Sequence, residues 1–461
     1  MGECSFWDWI TDTLHLRDLP FMGAPSLMFN VRYWFGTIAV AALAWQVLTG
    51  LILLLYYQPS NAYDSTMAII HNVPFGSILL SSHLYGAYVM ILAAYVHGID
   101  VFLRGTYKKS GGAQWVLGVL LFVLTLGVSF IGYSLTGDVL ATDAVDVGKG
   151  ILTALGLQSL IPVFFGNGTQ LDLFTRLLGW HIIVAAVIIL LFMLHYPRVG
   201  YRAPAISRNN DLTIKPWWPR NLILTLAVTL LTWGVILLVP SILAVPQVLG
   251  KVPILFSPYP GPSLTSPQAS SIPAYPPWFF LFLYKMVDMP FGLTVNAVMG
   301  IVIPLVVLLI IPALDRGGSP HLLDRPWVTA LFITGLIWVI ELSVWGAIQP
   351  GIPVKPTWFT VVIIPPVFVS FGGVYAARRR WIKVKGRMAS FTTRGVKFSL
   401  SKNTAVALGY STSMMAIVAI TASFALNPIS DGPYVGVMWG IALISLAASL
   451  MAYLYVEYLL G

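Results

Sequence analysis

Ten runs of this chain are each about 20 residues long and almost wholly apolar, and no other feature narrows the possible folds so far. A helix rises about 1.5 Å per residue, so each run can cross a hydrocarbon layer about 30 Å thick. Backbone groups in hydrocarbon must find their partners within the protein, which makes each run a helix. Taking the Gly, Pro and Asn breaks as boundaries places the spans at roughly 34–56, 78–102, 114–135, 176–197, 221–246, 293–313, 328–348, 358–377, 404–425 and 433–456. The expected fold is therefore an all-α polytopic membrane protein. Charged residues make up only 9% of the 461 positions, against about 25% in soluble domains, which excludes a water-soluble enzyme.

The distribution of cations orients the spans. With both termini inside, the inner segments hold 21 of the 26 Lys and Arg residues, leaving Lys149, Arg176, Lys251, Lys285 and Lys355 outside. The net charge of +9 thus reflects topology and lipid headgroups rather than nucleic acid. The basic run from Arg378 to Arg387 reads as a topology anchor in contact with headgroups. The N-terminal segment carries Trp7 and Trp9 among acidic residues and lacks the basic start of a signal peptide, so it is expected to be an interfacial helix. The expected location is the plasma membrane, multi-pass, with both termini cytoplasmic. Two outer connections, 136–175 and 247–292, are long enough to cap a site.

Four of the seven histidines lie inside spans. His83 and His97 are 14 residues apart on the second span; His181 and His195 are 14 apart on the fourth. Fourteen residues make nearly four helical turns, so each helix presents both imidazoles on one face, about 21 Å apart. The topology pairs His83 with His181 near the outer surface and His97 with His195 near the inner one. Intramembrane histidine is costly unless bonded. Two imidazoles on facing helices suit a six-coordinate haem iron with no open position, which favours electron transfer. Four independent helix-to-helix hydrogen bonds would explain single histidines better than two matched pairs. Gly36 and Gly50 on the first span, and Gly118 and Gly132 on the third, repeat the 14-residue spacing. A flat macrocycle could approach the backbone there, although small residues also serve ordinary helix packing. Cys4 is the only cysteine, which excludes a Cys-ligated iron–sulfur centre and a CxxCH haem attachment in this sequence.

Over roughly residues 30–380 the pattern resembles the cytochrome b / b6 family, in a divergent, archaeal-type form, either quinol-oxidising (bc-type) or oxidase-associated. The residues that carry the resemblance are Trp34-Phe35-Gly36, Gln46-x-x-Thr49-Gly50, Gly105-Thr106-Tyr107-Lys108-Lys109 with Trp115, and Phe130-Ile131-Gly132-Tyr133-Ser134-Leu135. Thr175-Arg176, Pro276-Pro277-Trp278-Phe279-Phe280-Leu281-Phe282 with Tyr284, and the four histidines in order and spacing complete it. The resemblance implies a di-haem four-helix bundle over 34–220, after an interfacial segment at 1–33. A C-terminal-type region with an outer quinol-site motif would cover 221–380, and a basic loop (381–403) and two extra helices (404–461) would follow. It implies His83, His97, His181 and His195 as iron ligands, Gly36, Gly50, Gly118 and Gly132 as haem-facing glycines, and Arg176 as a propionate partner. The haems would be b-type, a modified a-type being the alternative, and the substrate quinol. Tyr133, Pro276, Trp278, Phe279 and Tyr284 become candidates for the quinone wall. An interfacial aromatic belt explains those aromatics about equally well.

The departures fall mostly at the quinone sites. Pro277 stands in place of the motif's glutamate, the expected proton acceptor, and Phe279 in place of its tyrosine. Thr136-Gly137 replaces Pro-Trp, Leu80 and Asp100 stand where basic residues are usual, and Arg198–Arg202 lacks a histidine for an inner quinone site. Quinol oxidation removes two protons, so another base is needed. Asp143, Asp146 and Asp288 are the candidates by position, although a solvated loop charge is the more ordinary reading of each. The leading expectation is a redox subunit of a quinol-oxidising respiratory complex. Its electrons would pass to a Rieske-type iron–sulfur protein and a terminal oxidase or other acceptor subunits, with no nucleic acid partner. The alternative is an anchor subunit of an oxidase assembly without quinol turnover, which Pro277 favours. A proton-coupled transporter using Asp100 and Glu341 would leave the histidine pairs unexplained.

Overall fold

A computed structural model of the protein describes residues 34–108, 112–195, 219–317, 319–385 and 400–459, with the short strands β1 (Ala24–Pro25) and β2 (Ile214–Lys215). The expected N-terminal interfacial helix, the Arg198–Arg202 segment and most of the basic loop lie outside the described residues. β1 and β2 pair antiparallel, Ala24 opposite Lys215; all other regular structure described is helical.

All ten expected spans are helices long and apolar enough to cross a membrane. In chain order the main elements are α1 (Phe35–Leu54), α2 (Ala62–Asn72), α3 (Gly76–Arg104), α4 (Gly112–Ser134), α5 (Val139–Ala154), α6 (Gln170–His195) and α7 (Arg220–Ala244). They continue with α8 (Leu281–Val287), α9 (Leu293–Leu314), α10 (Pro326–Ile348), α11 (Pro356–Lys385), α12 (Lys402–Ser423) and α13 (Gly432–Leu459). The spans are α1, α3, α4, α6, α7 and α9 to α13; α2, α5 and α8 are short helices in the connections. The chain is thus a multi-pass integral membrane protein. Its spans expose apolar stripes such as Ile340, Val344 and Ile348, four residues apart on α10. In lipid such a stripe incurs no hydrophobic penalty. α9 carries one π turn at Val298–Val302, one residue short of Pro304. Proline supplies no amide hydrogen there, so the ladder shifts by one residue.

α1 packs on α3, α4 on α6, and α3 joins the two pairs. α7 closes against α1 and α3, and α13 lies along α7 with α12 behind it. The α7–α13 crossing is made by glycines. A Cβ at Gly440 would stand 2.8 Å from that of Leu238, and one at Gly234 3.0 Å from the Gly440 carbonyl oxygen. Gly436 faces Ser241 and Gly432 faces Ser77 just as closely. Gly432, Gly436 and Gly440 share one helix face, the small-residue pattern by which membrane helices bring their backbones together. The spacing was legible in the sequence, although the expectation there was of two extra helices without a stated contact.

A buried ionic cluster ties the two parts of the chain at the end opposite α5. The Asp315 carboxylate accepts from the Tyr107 hydroxyl, from Lys108 Nζ at 2.7 Å and from Arg325 Nη1 at 3.3 Å. Arg325 also donates to the Phe102 carbonyl and lies 4.6 Å above the Phe102 ring, which stacks on Phe332. All three charged side chains are nearly inaccessible, so each needs the others to offset desolvation.

Candidate functional site

Two histidine pairs face each other inside the α1, α3, α4 and α6 bundle. The ring centres of His83 and His181 are 6.3 Å apart, and those of His97 and His195 are 6.4 Å apart. A metal–imidazole bond is about 2 Å and the ring centre lies roughly 1 Å beyond the nitrogen, so two imidazoles on opposite sides of one ion place their centres roughly 6 Å apart. Both pairs fit that spacing.

The hydrogen bonds around the first pair fix its tautomers. Thr49 Oγ1 donates its single proton to the Trp45 carbonyl at 2.7 Å. The same oxygen lies 2.8 Å from His83 Nδ1, so the imidazole must be the donor in that contact. His181 Nδ1 lies 3.0 Å from the Val128 carbonyl, which can only accept. Both rings therefore carry their proton on Nδ1 and keep Nε2 as a free lone pair. Such an anchor on one nitrogen is the usual support of a histidine that binds metal through the other. Gln46 Nε2 donates to the His83 carbonyl at 2.7 Å, and Gln114 to that of His195, which pins the neighbouring helices at these histidines. In the second pair, His195 Nδ1 is buried without a hydrogen-bond partner among the described residues.

Each of the four glycines faces one of the four histidines. A Cβ at Gly36 would stand 3.5 Å from His97, at Gly50 3.2 Å from His83, at Gly118 3.4 Å from His195, and at Gly132 2.7 Å from His181. The 14-residue spacing of the glycines on α1 and α4 thus places a missing side chain beside every ring. A planar cofactor between the paired rings is compatible with this donor set and clearance. Arg176 lies one and a half turns before His181 on α6 and pairs with Asp172 at 2.8 Å.

At the α5 end, a shallow cleft of about 330 Å³ is lined by Asp143, Asp146, Val147, Gly150, Ala274, Val287 and Leu293. The four α5 residues recur at helical spacing and form one wall. α5 is fixed there by Asp138, which caps its first turn by accepting from the Ala141 amide at 2.8 Å and also accepts from the Gly261 amide and the Thr136 hydroxyl. Burial first, and then the negative charges of Asp146 and Asp138, push the Asp143 carboxyl above the ordinary aspartate range.

The three acidic candidates differ in their surroundings. Asp143 is half-buried on the cleft wall. Asp146 is exposed at the rim, 3.5 Å from Lys149. Asp288 lies 3.3 Å from Lys285 Nζ, which is fully buried and also donates to the carbonyls of Gln349 and Ile352 at 3.1 and 2.7 Å. Lys285, counted among the outer cations, is therefore an internal staple, and Asp288 is one of its acceptors. Burial still raises the Asp288 carboxyl, Lys285 opposing it.

The aromatic candidates divide likewise. Phe279 is buried, packed between Phe280 and Tyr88, and Pro276 is buried beside it. The place expected for a quinone wall at Phe279 is core. Trp278 and Tyr284 pack at the edge of this aromatic cluster and are half-buried. Tyr133 donates from its hydroxyl to the Tyr275 carbonyl at 3.2 Å, linking α4 to the segment before Pro276. Asp143 is within electrostatic reach of both Tyr133 and Tyr284. Thr49, Gln46, Asp138 and Lys285 were not singled out as site residues by sequence reasoning. Thr49 and Gln46 lie in a quoted motif, yet their partners follow only from helix rotation. Asp100 pairs with Arg104, and one Glu341 carboxylate oxygen is buried without a partner among the described residues.

A family model described as cytochrome b(N-terminal)/b6/petB matches residues 88–253. A cytochrome b of Sulfolobus acidocaldarius is 41% identical over 395 residues, covering 79% of this chain and 69% of that protein. The cytochrome b subunit of menaquinol:cytochrome c reductase from Bacillus subtilis is 33% identical over 163 residues, 33% of this chain and 73% of its own length. A solved chain of a hyperthermophilic respiratory Complex III superposes with a TM-score of 0.63 at 21% identity, over 81% of this chain and 99% of that one. This last likeness concerns the fold.

Proposed function

The chain belongs to the cytochrome b family, and from that premise we propose that it is the di-haem subunit of a quinol-oxidising respiratory complex. The observation that carries this reading is the pair of facing histidine couples at 6.3 and 6.4 Å, each ring beside a glycine. His83 and His181 hold one haem near the outer surface; His97 and His195 hold the other near the inner surface. A haem held by these two histidine pairs would supply one-electron transfer, since paired imidazoles would leave the iron no site for a further ligand. Gly36, Gly50, Gly118 and Gly132 give the macrocycles clearance, and Arg176 offers a cation to a propionate.

Quinol binds on this reading in the cleft walled by α5, between Val147, Val287 and Leu293, with Tyr284 within electrostatic reach of Asp143. Asp143 accepts at its carboxylate oxygen, one after the other, the two protons that the quinol hydroxyls give up as the two electrons leave, and releases each to the outside before taking the next. The position of Asp143 supports this role, because it is the half-buried carboxylate of the three, poised above its ordinary pKa range and unpaired with a cation in the way Asp288 is. One electron enters this chain. The other leaves to a Rieske-type iron–sulfur protein, and a terminal oxidase or another acceptor subunit follows. The complex sits in the plasma membrane with both termini of this chain cytoplasmic, which the concentration of cations in the segments at that side supports.

Pro277 supports a second reading, an anchor subunit that holds haem without oxidising quinol. Adding a reduced quinone to the purified complex and following the haem absorbance bands separates the two. Quinol-dependent reduction of the haems of this chain is the expected result. Haems that bind fully but stay oxidised under quinol would favour the anchor.

A further inference from the structure

Thr49 occupies a position that the haem-ligand set does not account for. It lies on α1, one residue before Gly50, and is itself buried. Its hydroxyl proton is committed to the Trp45 carbonyl at 2.7 Å, a backbone acceptor on the same helix. Its oxygen is thereby turned toward His83 Nδ1 at 2.8 Å as an acceptor. The opposite imidazole of the pair is anchored by the Val128 carbonyl, a backbone group that no side-chain substitution removes. Thr49 is the one side chain among these outer anchors, and so the one through which sequence can adjust the electronic character of the site.

We propose that Thr49 sets the reduction potential of the outer haem by controlling the basicity of His83. This inference rests on the di-haem reading above. An acceptor on Nδ1–H draws the proton outward and leaves Nε2 more electron-rich, which makes it a better ligand for the oxidised than for the reduced iron. The equilibrium concerned is the gain of one electron by the ferric ion to give the ferrous ion, with no bond made or broken. Removing the acceptor weakens the donor character of Nε2, favours the ferrous form and raises the midpoint. Thr49 acts through His83 and is a positioning residue, since its oxygen touches the ligand and not the iron.

The test is a redox titration of the haem absorbance of the intact complex carrying Thr49→Val, Thr49→Ser or Thr49→Cys. The outer component is identified as the one that persists in His97→Ala. Thr49→Val keeps the shape and loses the acceptor, and should shift the outer reduction equilibrium about tenfold toward the ferrous state, about 59 mV for one electron. The inner midpoint should stay unchanged, and Thr49→Ser, which retains the hydroxyl, should restore the wild-type outer value. If Thr49→Val loses the outer haem, Thr49→Cys decides the matter: its sulfur is a weaker acceptor and should give a smaller upward shift. An outer midpoint unchanged in Thr49→Val, or in Thr49→Cys where that variant must be used, would overturn the inference while leaving the two haems in place. Absence of haem from the wild-type complex would instead overturn the reading on which the inference rests.

Discussion

Asp143→Asn should lower the rate of quinol oxidation by about 10²-fold or more, the usual contribution of a general base, while leaving both haems bound. Asn keeps the size of the side chain and loses the ionisable oxygen. The pH dependence follows from the shift and its causes. Burial and the neighbouring charges of Asp146 and Asp138 raise the Asp143 pKa. The carboxylate is the active form, so the rate is full above that raised pKa and is lost as pH falls through it. The acid limb should therefore lie at higher pH than an ordinary aspartate would give. Asp146→Asn removes a like charge and should move that limb to lower pH with little change in the plateau rate. Steady-state quinol oxidation from pH 3 to 8 reads both effects (roughly the range that brackets an ordinary and a raised carboxylate). A plateau rate in Asp143→Asn equal to wild type would remove Asp143 from the mechanism and leave Asp288, freed from Lys285, as the base to examine.

Gly132→Val should abolish the outer haem component and spare the inner one. A Cβ at Gly132 would lie 2.7 Å from the His181 ring, and that ring is held at Nδ1 by the Val128 carbonyl at 3.0 Å. The imidazole can recede only by giving up the bond that fixes its tautomer. Overpacking of this kind costs about 1–3 kcal/mol, and it falls directly on a ligand. Gly127→Ala on the same helix makes the contrast, because nothing lies within 4 Å of its added Cβ. Haem extraction with absorbance spectra of the two variants should show half the haem in Gly132→Val and the full content in Gly127→Ala. Full haem content in Gly132→Val would mean that the helices separate at no cost to the site.

The spans and the histidine pairs were legible because each rests on a periodicity local to one helix. Twenty apolar residues specify a crossing, and 14 residues specify a shared face, whatever the rest of the chain does. The Gly432, Gly436 and Gly440 stripe was written just as plainly, but its partners on α7 and α3 depend on how the helices come together. The cleft was harder to read for the same reason. Asp143 and Asp288 look alike in sequence, each an aspartate in a long connection, until Lys285 is found buried beside one of them. Phe279 sits in a motif resembling a quinone site, yet the packing of Tyr88 and Phe280 turns it into the core. Thr49 was visible in the Gln46-x-x-Thr49-Gly50 motif, but its action on His83 requires knowing that its proton is already committed to Trp45. Local pattern gave the scaffold, and tertiary contact selected among chemically equivalent residues.

The most direct test of the account is a redox titration of the haem absorbance of the purified complex, wild type beside His97→Ala. The account predicts two low-spin components with separate midpoints in this chain, of which the inner alone is lost in His97→Ala. A single component in the wild type, or a pair of components untouched by the substitution, would contradict the claim that two histidine couples carry electrons across the membrane.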